Sequence, residues 1–490
     1  MTLEDSNMAK GFAIHNAITD HGGIIPSTQS RSSQLGNLFV RAGDGHMCPK
    51  CKCWSTVVKS HDHVIMDGKP VAYAGDKVTC GATILPQQSH VVGESGSGSS
   101  STTNSSFQPT NTQQKNNFMD DAIKKNKIVL KDVMVKPFIP LGAPKPDGSP
   151  SNSNLIFSGS TINAIFEAIV LEVKKDGKFI EVKRIEGAFQ GTKEFKIQWD
   201  GFIQDIYDSK FMTGSNGVMF RVKGINGGSA IALDEKTFNF KYFNKDWMDV
   251  VINRKKLKVD ITLRVNFVDG GAKGLYNGHL VPASQIKIRR VQPYSTQTKD
   301  FSQLLQLSID GINYYWSRNQ FHATGKNISL DGKNYEVFVK AKISKVNAMP
   351  EMKLTYVTNV DPNDPMFRSS NSALSRKTAY ITGYLYFDRT TWGFYPETVS
   401  DKSFKETIAH ETGHAIVEAY GGVMDSITHH GSSEIWQVPK SGTSYPTSGE
   451  IDLMKYAKGN LTAIPNWDKN MVANKKDVTG LLFISGISKQ

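Results

Sequence analysis

From Phe118 to Pro293 apolar and polar positions alternate with a period of two through a series of short runs: KIVLKDVMVKPFI, NAIFEAIVLEVKKDGKFIEVKRI, KEFKIQW, GVMFRVKG, TFNFKYF and KLKVDITLRVNFVD. β-branched and aromatic residues fill the apolar positions, and turns such as Lys175-Asp176-Gly177-Lys178 separate the runs, which is how half-buried strands read. An antiparallel β-sandwich is expected for 118–295. Beyond it the period changes. KDFSQLLQLSIDG predicts a helix, YEVFVKAKI, MKLTYVTNV and KTAYITGYLYFD predict strands, and a longer helix follows, with Ser403 and Glu406 as its capping box. Phe404, Ile408, Ile416 and Val417 would be its core contacts. Gly421-Gly422 should stop it, because glycine adopts a left-handed conformation at little cost. Residues 296–490 are therefore expected to be a mixed α+β domain.

A different texture separates the beginning of the chain from the rest. Gly93 to Asn117 is dominated by Ser, Thr, Asn and Gln, with only Glu94 and Lys115 charged. Such a tract buries too little apolar surface to offset its backbone entropy, so 93–117 is expected to be a flexible linker and 1–92 a separate module. Composition adds a few exclusions. With 490 residues, 39% hydrophobic and 21% charged, the chain as a whole is neither disordered nor fibrous. The net charge of +12 is spread thinly, as in KKNK and NRKKLK. These runs read as solvated faces, and no nucleic-acid partner is expected. No run approaches the ~20 apolar residues of a membrane span. The start, MTLEDSNMAKGFAIHNAITD, lacks the apolar stretch of a secretory signal, so work outside the cell would need another export route.

Metal-binding residue types concentrate in two places. All four Cys (Cys48, Cys51, Cys53, Cys80) lie in the first 80 residues, six of the 12 His lie at or before His90, and four more lie between His410 and His430. The amino-terminal group sits on a weak threefold repeat: Asn16-Ala17-Ile18-Thr19-Asp20-His21, Gly43-Asp44-Gly45-His46-Met47-Cys48 and Gly75-Asp76-Lys77-Val78-Thr79-Cys80. In each copy a strand leads into a turn, and a metal ligand follows four residues after the Asp position. Three such loops meeting on a pseudo-threefold axis would bring His21, Cys48 and Cys80 to one ion. Cys51 is the natural fourth ligand, with His46, Cys53 and His63 as competitors. A closed set of four N/S ligands is what structural zinc requires, and it can hold together a domain with little core of its own.

The texts TDHGG, VRAGDGHMCPKC and DGKPVAYAGDKVTCGATIL make residues 10–88 resemble the PAAR domain, the cone-shaped β module that tips the spike of the bacterial type VI secretion system. Asn16-Ala17 departs from the Gly-Asp usual in that family. The resemblance implies docking on the trimeric VgrG spike, synthesis in the bacterial cytoplasm and delivery into a target cell by a contractile machine.

The second group is His410-Glu411-Thr412-Gly413-His414, inside the long predicted helix. Spacing of four puts both imidazoles one turn apart on one face, where they can share a zinc ion. Glu411 can then take a proton from zinc-bound water, which is the chemistry of peptide-bond hydrolysis. A catalytic zinc needs a third protein ligand and an open position. Tyr420, ten residues after His410, excludes the metzincin pattern, and the segments SITHHGSSEIWQ and SGEIDLMKYAKG offer His429, His430, Glu434, Glu450 and Asp452. With the preceding strand Ala379 to Asp388, the region resembles zincin-like metallopeptidase toxin domains of secreted effectors. That resemblance implies a cleft-side strand that pairs with substrate. It makes His429 the third ligand, with Glu434 as the alternative, and His430 the candidate for stabilising the oxyanion. The expected whole is a PAAR-like zinc-bound tip, a linker, a β-rich middle domain and a zinc metallopeptidase attacking protein or peptidoglycan peptides, with a cognate immunity protein. The rivals are a zinc-containing structural spike extension without turnover and a zinc amidase acting on peptidoglycan.

Overall fold

The computed structural model describes residues 10–29, 31–34, 37–61, 64–86, 92–93, 126–134, 136–361, 368–372, 375–386, 392–428, 444–457 and 459–490. The expected linker lies outside them apart from Gly93, which pairs with Lys10. The chain divides into two compact units, Met1–Thr110 and Asn111–Gln490.

The first unit is built from strands of two or three residues, and its repeat closes on itself through the backbone. The Ala13 N–H donates to the Ala72 carbonyl at 2.7 Å, Ala72 to Val40 at 2.9 Å and Val40 to Ala13 at 2.9 Å, a ring joining equivalent positions of the three copies. On one side of it Phe12, Phe39, Val71 and Tyr73 form a small aromatic cluster. Ala13, Val40 and Ala72 themselves belong to a second small core with Ala17, Ile25, Val57, Val78, Ala82 and Ile84. The three turns share a left-handed residue: Asn16 at φ 65°, Gly43 at 87° and Gly75 at 93°. Asn tolerates that region better than other non-glycine residues, so the departure at Asn16 leaves the turn intact. What the first copy loses is the carboxylate. Asp44 accepts the Arg41 N–H at 2.9 Å and Asp76 the Tyr73 N–H at 2.8 Å, whereas Ala17 is simply buried.

In the second unit, strands Lys127–Met134, Leu155–Lys175, Val218–Asn226 and Ser229–Phe238 form an antiparallel sheet in that order, and Lys178–Trp199 pairs along the whole of Leu155–Lys175. The turn of that long hairpin is Asp176-Gly177, with φ of 50° and 79°, the left-handed pair that suits the twist of a two-residue connection. The self-contained sandwich expected for 118–295 is not formed. Lys258–Val265 runs parallel to Lys333–Ile343, and Phe267–Lys273 runs parallel to Met352–Val357, which is parallel in turn to Ser375–Ile381. Ile487–Lys489 pairs with Phe240–Tyr242, and Phe138 bridges to Ile487. A single hydrophobic core therefore runs from Ile128 to Ile487, and 295/296 is no boundary between compact units. Parallel pairing requires a crossover, and the helix Phe301–Tyr315 lies between the paired strands in sequence.

That helix begins at a capping box of Asp300 and Gln303. A Cβ at Gly311 would stand 2.4 Å from the Lys405 carbonyl oxygen, so glycine is what lets the helix lie directly against the long helix Glu397–Gly421. The long helix starts six residues before the expected capping box. Pro396 occupies its N-cap without a side-chain bond, and Ser403 is interior, its carbonyl accepting the Thr407 hydroxyl. Proline at the N-cap suits the start, since its ring disfavours helical backbone in the residue before it and an N-cap N–H makes no intrahelical bond. Phe404, Ile408, Ile416 and Val417 are buried as expected, and the helix ends before Gly422 at φ 90°. Among the described residues no helix is long and apolar enough to cross a membrane.

Candidate metal centres

His21, Cys48, Cys51 and Cys80 are brought together at the end of the three turns, their ligand atoms all within 4.8 Å of one another. Cys51 arrives through a tight loop: its N–H points at the Cys48 sulfur at 3.4 Å, and the Lys52 N–H returns to the Cys48 carbonyl at 2.8 Å. His21 Nδ1 lies 3.7 Å from Cys48 Sγ and 3.5 Å from Cys51 Sγ. Tetrahedral zinc with Zn–S bonds of ~2.3 Å places its sulfurs ~3.8 Å apart, so one imidazole and three thiols at these separations fit a structural zinc. The thiols already differ electrostatically. The Ser55 hydroxyl, then the Ala82 N–H, draws Cys80 down to about 6, while desolvation and the adjoining Cys48 and Cys80 thiols push Cys51 up to about 11. None of the four cysteines is in a disulfide. Of the competitors, His46 is buried against Gly23, where a Cβ would meet its Nε2 at 2.0 Å, and the Cys53 sulfur lies 3.7 Å from the Ser55 hydroxyl. His63 lies outside the described residues.

On the long helix, His410, Glu411 and His414 are all buried, and the two imidazole rings meet edge to face at 4.9 Å. Their surroundings fix their protons. The Leu453 carbonyl, 2.7 Å from His410 Nδ1, can only accept, so Nδ1 carries the hydrogen. The Ser426 hydroxyl donates to the His414 carbonyl at 3.1 Å and accordingly accepts from His414 Nδ1 at 3.1 Å. Both rings thus carry their lone pair on Nε2, as a zinc ligand oriented by a second hydrogen bond requires. Burial lowers the His410 pKa and raises that of Glu411 to about 8, with the nearby charge of Glu406 adding to the rise and that of Arg368 opposing it. Trp316 Nε1 donates to the Ala409 carbonyl at 3.0 Å, and a Cβ at Gly413 would meet Met454 Sδ at 2.3 Å. Gly413 is therefore required for Met454 and Trp316 to pack against the helix at this point.

No third His, Cys, Asp or Glu ligand joins His410 and His414 among the described residues. His429, His430 and Glu434 lie outside them. Glu450 is paired with Arg318 at 2.6 Å, and Asp452 accepts from the Met454 N–H at 2.9 Å and from Asn474 at 2.8 Å, so both serve the structure. The expected strand Ala379 to Asp388 is broken. Ser375–Ile381 ends before Gly383, whose φ of 79° turns the chain into the separate hairpin strand Gly383–Tyr386, and Asp388 lies outside the described residues. The edge of the four-stranded sheet is instead Ser370–Ser372, where Asn371 donates to the Glu411 carbonyl. Sequence reasoning missed Leu453, Ser426 and Tyr456, whose ring stacks on His410 at 4.9 Å. A carbonyl acceptor leaves no side-chain signature. Tyr456 belongs to no motif that would tie it to His410.

Compared with known families, the stretch that carries the Cys and His cluster gives a match. Residues 15–86 carry a PAAR motif. The motif supports a type VI secretion PAAR-domain protein with a spike-tip role, and its His and Cys residues supply the cluster expected of zinc-binding PAAR motifs. Among curated proteins none matches. Among solved structures, β-glucuronidase from Ruminococcus gnavus is 6% identical over 40% of this chain and 25% of its own, with a TM-score of 0.15. A calcium-binding mutant of Bacteroides uniformis β-glucuronidase 2 is 10% identical over 64% and 36%, with a TM-score of 0.14. The chain spans about a quarter to a third of those structures, and likeness at this level carries no argument. None of the comparisons supports a metallopeptidase assignment beside the PAAR motif.

Proposed function

We propose that this chain is a type VI secretion effector whose PAAR region caps the VgrG spike trimer and whose carboxy-terminal unit is a zinc-dependent metallopeptidase, made in the bacterial cytoplasm and delivered into a competing cell. The observation that carries the second half is the pair of imidazoles one helical turn apart, each holding its proton on Nδ1, with Glu411 between them. His21, Cys48, Cys51 and Cys80 would hold a structural zinc, and His410 and His414 a catalytic one, with His429 or Glu434 completing its ligands. When bound, the catalytic zinc supplies an acidified water and polarises the scissile carbonyl. The chain's own residues do the rest. Leu453 and Ser426 hold the rings in register, and Glu411, next to His410 on the helix, would as a carboxylate take a proton and hand it to the leaving amine, burial making it the stronger base by raising its pKa to about 8. Protein or the peptide stems of peptidoglycan are the substrates this chemistry suits, and a producing cell would need an immunity protein.

The test is metal content alongside killing of an unprotected neighbour. Wild-type protein should carry two zinc equivalents per chain, and His414→Ala one, with loss of killing. A His414→Ala chain that keeps both equivalents would remove the basis of the reading, and one that loses zinc but still kills would favour a binding module.

A further inference from the structure

The hydrogen bonds around His410 assign its proton to Nδ1, so its Nε2 can only accept, and the hydroxyl of Tyr456 stands 3.1 Å from that atom. The phenol therefore donates its proton to the lone pair of Nε2. The two rings are also stacked, with centroids 4.9 Å apart and planes 28° from parallel, which holds the phenol against the imidazole. At His414 it is Nδ1 that is held, by the Ser426 hydroxyl at 3.1 Å. A nitrogen lone pair in the ring plane serves one partner at a time, either a hydrogen or a metal ion. Tyr456 and the metal thus make rival claims on the same two electrons.

We propose that Tyr456 is a latch on the helix site: its hydroxyl competes with zinc for His410 Nε2, and zinc loading has to break that hydrogen bond. The proposal rests on the reading that His410 and His414 hold zinc, and adds to it a control on when they do. Tyr456 is a positioning residue here, acting through His410. The latch lowers the zinc affinity of the helix site by the worth of one hydrogen bond to a buried imidazole. It leaves the tip site, whose four ligand atoms already lie within 4.8 Å of one another, to fill first when zinc is scarce. The chain would then carry a folded, zinc-bound tip before its helix site is loaded.

The test is chelator competition on the full-length chain, comparing wild type with Tyr456→Phe, which keeps the ring and its stacking and removes only the hydroxyl. The second zinc equivalent should bind roughly 3–10-fold more tightly in Tyr456→Phe, the fold-change corresponding to a net hydrogen bond, while the first equivalent is unchanged. Equal or weaker binding of the second equivalent overturns the latch, weaker binding pointing to the phenol as a ligand. A second measurement needs no substitution. In wild type, addition of the second zinc equivalent should give a near-ultraviolet tyrosine difference signal, and its absence also overturns the proposal. His414→Ala separates the two levels. If that variant still binds two equivalents, the helix holds no zinc and the latch falls with the reading. If it binds one and Tyr456→Phe is no tighter than wild type, the latch alone falls.

Discussion

The two candidate metal centres are assembled in opposite ways. At the tip, four donors come from three turns of a repeat, and the residues that supply them have two small hydrophobic clusters and a ring of backbone hydrogen bonds to lean on. On the long helix, two donors come from one turn of a single element that is already buried in a large core, and their protons are set by partners 12 and 43 residues further along. The tip has only those small clusters to back its ligand set, while the helix is backed by the large core of the second unit. On the proposed function, a metal at the first place would be part of the scaffold, and a metal at the second a reagent held by one.

The comparison would break most visibly at Cys80. In the full-length chain Cys80→Ser should release one zinc equivalent and cost the tip unit several kcal/mol, a large part of the ~10–16 kcal/mol typical of structural zinc. Calorimetry should then show the transition of the second unit alone. Unchanged metal content would end the idea of a four-ligand tip. Glu411→Gln comes next. It keeps both imidazoles and their hydrogen bonds, so zinc should stay at two equivalents while turnover falls roughly 10²–10⁴-fold. A killing assay at equal zinc content decides, and undiminished killing would move the helix into the scaffold class as well. Ser426→Ala removes the acceptor that orients His414 and should weaken zinc at the helix site roughly 10–100-fold without touching the tip. Chelator titration measures this, and a weakened tip equivalent would show that the two sites are not independent.

The smallest effect concerns acid. His322 is buried, stacked on Tyr314, and held down to about 4, first by desolvation and then by the Arg318 charge. A base whose folded pKa lies below its unfolded value stabilises the fold above ~6.5 and loses that contribution as pH falls towards 4. Denaturant midpoints for the second unit should therefore drop between pH 7 and pH 5, and His322→Phe should recover roughly 1–2 kcal/mol of that loss. An equal drop in both chains would mean that His322 is protonated in the folded state.

Legibility differed between the two sites for the same reason that their assembly does. A repeat writes its geometry into the sequence, so the positions four after Ala17, Asp44 and Asp76 could be read as converging, and they do converge. The helix type and its glycine stop were also legible, because periodicity and φ preference are local. The start at Glu397 was not, since Ser403 and Glu406 imitate a capping box within what is interior helix. The division at 295 failed because alternation says that a strand is half-buried and not whether its neighbour is parallel. Lys258–Val265 looks the same whichever strand it joins. Leu453 acts through its carbonyl and Ser426 through one hydroxyl 12 residues from its partner, and neither has a pattern to find.

The bridge between Phe138 and Ile487 joins positions about 350 residues apart, and Lys489 reaches back to Asp132 beside it. Loop-closure entropy makes such pairings late events, and chains rich in them fold slowly. The second unit should therefore gain its last strand well after the long helix and the first sheet have formed. For that interval, Phe240 and Ile487 would expose apolar surface and unpaired strand edge to whatever is nearby. On the proposed function, a protein made in one cell and working in another meets that interval wherever it refolds, and a chaperone that covers Phe240–Tyr242 until Ile487–Lys489 arrives would shorten it.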